Sequence, residues 1–98
     1  MLPRVINAEL RGDYSVYVEF NDGTSGILDF KDSFEHDQRD FVRNLLDKEL
    51  FKTVKVDLNT LSWANEMDIC PDVLYEQLKK APNGRVRYQS PAMQNMAV

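Results

Sequence analysis

The sequence predicts a small α+β domain of two layers, a mainly antiparallel sheet with two helices, in the order β-β-β-α-β-β-α. Three observations carry this reading. Residues 14–20 and 24–30 alternate apolar with polar side chains on either side of Asn21-Asp22-Gly23, a hairpin pattern. The apolar spacing then lengthens to that of a helix, first near residues 38–47 and again after Pro71. With 98 residues, 43% of them apolar and 29% charged, the chain has the makeup of one globular domain with a thin core.

The elements follow in order. Val5–Leu10 reads as a strand with Ile6, Ala8 and Leu10 on one face, and Arg11-Gly12-Asp13 as a turn. In the second strand Tyr14, Val16, Val18 and Phe20 face one way, and Ser15, Tyr17 and Glu19 the other. The returning strand places Gly26, Leu28 and Phe30 on one face. Lys31–Gln38 is polar apart from Phe34 and reads as a connection, with Asp32 or Asp37 available to cap the next helix. From Gln38 to Asp47 the stripe is Phe41, Val42, Leu45 and Leu46, with Phe51 closing the core beneath it. Val54, Val56 and Leu58 are expected inward on the next strand, Asn59-Thr60 at its turn, and Leu61 and Trp63 on the inner face of its partner.

Pro71 suits the first position of a helix because its missing N–H is unpaired there anyway. Asp72 then lies in the positive first turn, Val73, Leu74, Gln77 and Leu78 form the inner stripe, and Lys79-Lys80 favour the carbonyl end. Ala81-Pro82-Asn83-Gly84 stops the helix. The domain is therefore placed at residues 1–81. Residues 82–98 are read as an extension with a short edge strand at Val86 and Tyr88, then a frayed tail.

Charge and cysteine narrow the function classes. Sixteen Asp and Glu against twelve Lys and Arg give a net charge of −4. That balance disfavours binding to a phosphate backbone, which rests on Lys and Arg contacts. Cys70 is the single cysteine, so neither an intrachain disulfide nor a multi-thiolate zinc site is possible. The first residues lack the apolar core of a secretory signal and no run approaches a membrane span. A cytoplasmic protein without membrane contact is expected.

The second half carries a resemblance. Phe51, Val54, Val56 and Asp57, then Leu61-Ser62-Trp63-Ala64-Asn65, then Asp68-Ile69-Cys70-Pro71-Asp72-Val73-Leu74-Tyr75 resemble the bacterial family of unknown function DUF2442. The first hairpin agrees at Tyr17, Phe20, Asp22-Gly23, Gly26 and Asp29-Phe30. The resemblance covers roughly Val5–Leu78. It implies a small α+β fold, no transferable catalytic activity, and membership of two-gene arrangements similar to toxin–antitoxin pairs. The family pattern Trp-Pro-Asn-Gly is here Trp63-Ala64-Asn65-Glu66. Without the glycine, Glu66 must accept a left-handed backbone or the turn must change shape.

Each candidate site has an ordinary structural explanation beside it. Asp68, Cys70, Pro71 and Asp72 form a polar loop at a helix start, suited to an anion or to simple capping. A cysteine nucleophile would need a base, and the lone His36 is remote in sequence. Glu35-His36-Asp37, with Asp32, has metal-ligand chemistry but adjacent side chains on a surface seldom converge. Asp57 and Asp68 are a conceivable carboxylate pair. Tyr17, Trp63, Asn65, Asp68, Asp72 and Tyr75 are the expected partner contacts, although Trp63 also suits a core anchor. The expectation is a non-catalytic interaction or regulatory module, with no cofactor or metal, a small basic protein as partner and a homodimer as an option. The alternative is a dimeric nucleic-acid-associated regulator using Lys79, Lys80, Arg85 and Arg87.

Overall fold

A computed structural model describes residues 2–81 and 83–90. Strands β1 (Val5–Leu10), β2 (Ser15–Phe20) and β3 (Ser25–Asp29) form an antiparallel meander. Helices α1 (Lys31–His36), α2 (Asp40–Arg43) and α3 (Lys48–Phe51) follow, with a 3-10 turn at Asn44–Leu46 between the last two. Strands β4 (Lys55–Asp57) and β5 (Thr60–Ser62) make a separate hairpin, α4 runs over Pro71–Lys79, and β6 (Arg85–Arg87) returns to the sheet. The four-stranded order is β1-β2-β3-β6, with β6 parallel to β3. The α+β class is as expected, and so is a short edge strand around Val86, here β6, but the strands fall into two sheets.

The β2–β3 hairpin has the anticipated register, with Tyr17 opposite Ile27 and Val18 opposite Gly26. Val16, Val18, Phe20, Leu28 and Phe30 are fully buried. Gly23 supplies the left-handed backbone that closes the turn, at φ 91°. Gly26 is needed for a second reason. A Cβ there would stand 2.8 Å from Leu78 Cδ2 and 3.0 Å from the Gly84 carbonyl oxygen, so its absence lets α4 seat against the sheet.

Several expectations are corrected. Of the face Ile6, Ala8 and Leu10 expected on β1, only Ala8 packs against the core, opposite Val18; Ile6 and Leu10 are exposed, and Val5 is buried. The pairing of β1 with β2 shifts between Val5 and Asn7, and this bulge at Ile6 resets the alternation. Lys31–His36 is a helix rather than a connection, burying Ser33 and Phe34. The expected helix over 38–47 breaks into shorter turns, so its stripe is interrupted. Val42 and Leu45 are buried while Phe41 is exposed. Asp37 accepts the Arg39 N–H just before α2, but the side chain that caps a helix is Asp47, which accepts the Glu49 N–H at the start of α3.

On β4, Val56 and Leu58 point out to solvent, and Leu58 is 87% exposed. The turn is Leu58-Asn59, both left-handed at φ 50° and 67°, as in a two-residue hairpin turn. Only β5 reaches the core, through Leu61. Residues beyond 81 also pack on the domain. Tyr88 and Ser90 are buried, and the Tyr88 N–H donates to the Asp29 carbonyl. The tail expected to fray, beyond Ser90, lies outside the described residues.

The centre of the core is aromatic. Phe30 and Phe34 stack at 5.3 Å, and Trp63 meets Phe30, Phe34 and Phe51 at 5.7, 5.9 and 5.7 Å. Such edge and offset contacts add to burial because ring edges are positive and faces negative.

Candidate functional site

The connection from β5 to α4 is built by its own hydrogen bonds. The Glu66 N–H donates to the Trp63 carbonyl at 2.9 Å, and the Trp63 N–H donates to the Met67 carbonyl at 3.0 Å. Asn65 accepts the Met67 N–H through Oδ1 and donates through Nδ2 to the Phe41 carbonyl. The Ala64 N–H donates to Thr53 Oγ1, and Thr60 Oγ1 donates to the Ile69 carbonyl. Ser62 and Asp68 are bridged across the turn. Glu66 takes the left-handed backbone at φ 69°, at the position where glycine costs least. The turn therefore carries its strain at Glu66.

This turn and the β4–β5 hairpin enclose a groove of about 400 Å³ lined by Lys55, Asp57, Ser62, Trp63, Glu66 and Asp68. Asp57, Glu66 and Asp68 are exposed and pair with no cation among the described residues. Three carboxylates against one lysine leave the groove negative. Among the described residues no group of three His, Cys, Asp or Glu side chains could hold a metal ion. The groove therefore presents separated acceptors, suited to a spread cationic surface.

The expected contacts divide accordingly. Asp68 lines the groove, and so does Asp57, the residue weighed as its carboxylate partner. Asp72 is exposed in the first turn of α4. Trp63 lines the groove but is 1% exposed and packed among phenylalanines; as a surface contact it is corrected to a core anchor. Its indole N–H has no hydrogen-bond partner among the described residues. Asn65 is likewise corrected, since both ends of its amide are spent on the turn. Tyr75 lies elsewhere: its ring meets Phe20 edge-on, Lys79 sits over it, and its hydroxyl donates to Asp22 at 2.5 Å. That bond and the Thr24 N–H hold the Asp22 carboxyl down at about 2.

Tyr17 is half-buried on the outer face of the sheet, opposite Glu9 and Ile27, with Arg11 over its ring at 5.2 Å. Arg85 and Arg87 point to that same outer face, and Arg85 donates to Ser15 Oγ and lies near Asp29. Lys79 and Lys80 end α4, which packs on the inner face through Leu78 and Gly26. The four cations do not form one strip.

A second cavity, of about 230 Å³, lies at the start of α4 and is lined by Arg39, Met67, Asp68, Ile69, Cys70, Val73, Tyr88 and Ser90. Sequence reasoning did not bring these together, because they come from three separated segments. Arg39 forms a fork with buried Asp37: Nε to Oδ1 at 2.9 Å and Nη2 to Oδ2 at 2.8 Å. The pair lowers the Asp37 carboxyl and raises the guanidinium. Burial pushes the Tyr88 phenol up to about 12, while the Arg39 charge opposes the shift.

The family model of a protein of unknown function, DUF2442, matches residues 5–80. The chain belongs to the DUF2442 family. No curated protein and no solved structure matches it. The DUF2442 match spans both hairpins and α4, and so includes every residue that lines the acidic groove. No helix among the described residues is long and apolar enough to cross a membrane.

Proposed function

We propose that this DUF2442 protein is a non-catalytic, cytoplasmic interaction module that grips a small basic protein, as one half of a two-gene pair similar to a toxin and its antitoxin. The observation that carries the reading is the groove in which Asp57, Glu66 and Asp68 stand without paired cations beside a single lysine. Unpaired carboxylates held by a hydrogen-bonded turn attract Lys and Arg side chains and lose little freedom on contact. The resemblance supports the paired-gene element of the proposal. The outer-face Tyr17 supplies an aromatic contact for a larger interface or for a second copy.

The test is capture from the native cell extract with tagged wild-type protein and with the variant Asp57→Asn/Asp68→Asn. A stoichiometric basic protein that is retained by the wild type and lost by the variant supports the proposal. Retention by both, or recovery of nucleic acid that nuclease removes, overturns it.

A further inference from the structure

We infer, resting on the groove reading above, that the basic partner adds a short strand to the outer edge of β4, and that this strand alternates Lys or Arg with apolar residues. The left-handed pair Leu58-Asn59 makes a two-residue turn, so Asp57 and Thr60 are the first hydrogen-bonded pair of the hairpin. Bonded and non-bonded pairs alternate along an antiparallel ladder. Lys55 and Ser62 are therefore the next bonded pair, and the N–H and C=O of Val56 point away from β5. The two-stranded sheet ends at β4, and no other group among the described residues bonds to Val56. A donor and an acceptor thus stand on an open edge, the template that a partner strand completes.

The two faces of this edge fix the chemistry of the added strand. Lys55 and Asp57 lie on the groove side with Ser62, in the same groove as Glu66 and Asp68. Three carboxylates against one lysine call for basic side chains there. Val56 shares the opposite face with Leu61, which is fully buried, and Val56 is where that apolar face meets solvent. An apolar side chain set beside Val56 extends the core outward. Leu58 points the same way. It is exposed and left-handed at φ 50°, a position that asparagine or glycine fills at less cost, so neither burial nor backbone preference within the chain accounts for a leucine. Exposed Ile6 follows Val5, whose N–H donates to the Asn59 carbonyl, and adds apolar surface at the hairpin tip. The strand β6 also ends a sheet, but its Arg85 and Arg87 repel the same basic segment.

The test uses the full chain and changes only the probe, a six-residue peptide of alternating Arg and Val with blocked ends. Titration is followed by amide NMR and by hydrogen exchange. Saturable shifts at residues 55–58, with exchange of the Val56 amide slowed about tenfold or more at saturation, support the added strand. In this pairing a valine lies opposite Val56 and supplies the peptide's N–H. N-methylation of the valine amides is therefore expected to weaken binding about five- to tenfold, and N-methylation of the arginine amides less than about twofold. A Val56 amide that stays unprotected, equal loss with either methylation, or equal binding of a peptide with its three arginines and three valines in separate blocks overturns the inference. The two readings fail separately. Shifts at residues 62–68 with Val56 unprotected leave the acidic groove standing and overturn the strand, whereas the absence of saturable shifts at both 55–58 and 62–68 overturns both.

Discussion

Replacing Glu66 by glycine should stabilise this protein, and the size of the effect follows from one backbone angle. Glu66 sits at φ 69°, where an L side chain crowds its own carbonyl at a cost of about 1–2 kcal/mol. Glycine removes that cost but gives the unfolded chain more freedom, which takes back about 0.4–1 kcal/mol. The net expectation is about 0.5–1 kcal/mol of added stability. For a domain of this size that is a rise in Tm of about 2–8 °C. Thermal unfolding followed by circular dichroism, with urea titration beside it, reads the change. Glu66→Ala is the essential control. It removes the same negative charge from beside Asp57 and Asp68 but keeps a Cβ in the left-handed turn. An alanine variant as stable as the glycine variant, or a glycine variant no more stable than wild type, refutes the strain argument.

Three further outcomes are expected. Tyr75→Phe removes the main hydrogen bond to Asp22, so that carboxyl should move from about 2 back toward 3.8, read by NMR titration. Because the folded value is the lower one, this bond stabilises the fold above about pH 4, and the contribution fades as pH falls toward 2; Tyr75→Phe should flatten that acid-side slope. Gly26→Ala drives a Cβ against Leu78 and the Gly84 carbonyl and should cost about 1–3 kcal/mol, seen as a lower urea midpoint; an unchanged midpoint contradicts the close approach of α4. Asp37→Asn breaks the fork to Arg39 beside a buried site and should cost about 1–3 kcal/mol. Loss of the acid-dependent part of stability in that variant would identify the Asp37 carboxylate as its source.

The parts of the fold legible in the sequence are those whose pattern is local. The β2–β3 hairpin declares itself because alternation, turn residues and burial coincide over residues 14–30. Pro71 marks the start of α4 for an equally local reason, the missing N–H. Where the pattern depends on distant packing, the reading slipped. A one-residue bulge at Ile6 transferred burial to Val5, a shift that alternation alone does not reveal. Residues 38–51 satisfy a helical stripe only in pieces, because short turns fold around the aromatic cluster. β4 alternates like a half-buried strand, yet β5 occupies the core side of the hairpin and leaves Val56 and Leu58 in solvent.

The candidate sites divide along the same line. Asp57 and Asp68 stood out in the sequence as a conceivable carboxylate pair, and Glu66 as the position where either the backbone turns left-handed or the turn changes shape. Their meeting in one groove depends on the bridge between Ser62 and Asp68, which no spacing in the sequence announces. Trp63 drew attention as an aromatic contact, but its neighbours Phe30, Phe34 and Phe51 claim it for the core. Arg39 and Tyr88 are 49 positions apart and share a cavity only after β6 pairs with β3.

The central claim is that the acidic groove binds a basic segment. Its most direct test is NMR shift mapping with a six-residue peptide of alternating Lys and Arg at moderate salt. The account predicts shifts concentrated at residues 55–57 and 62–68. Asp57→Asn/Asp68→Asn should weaken binding about tenfold, within what two exposed charge contacts supply. Shifts centred on another face, or affinity unchanged in the variant, would contradict it.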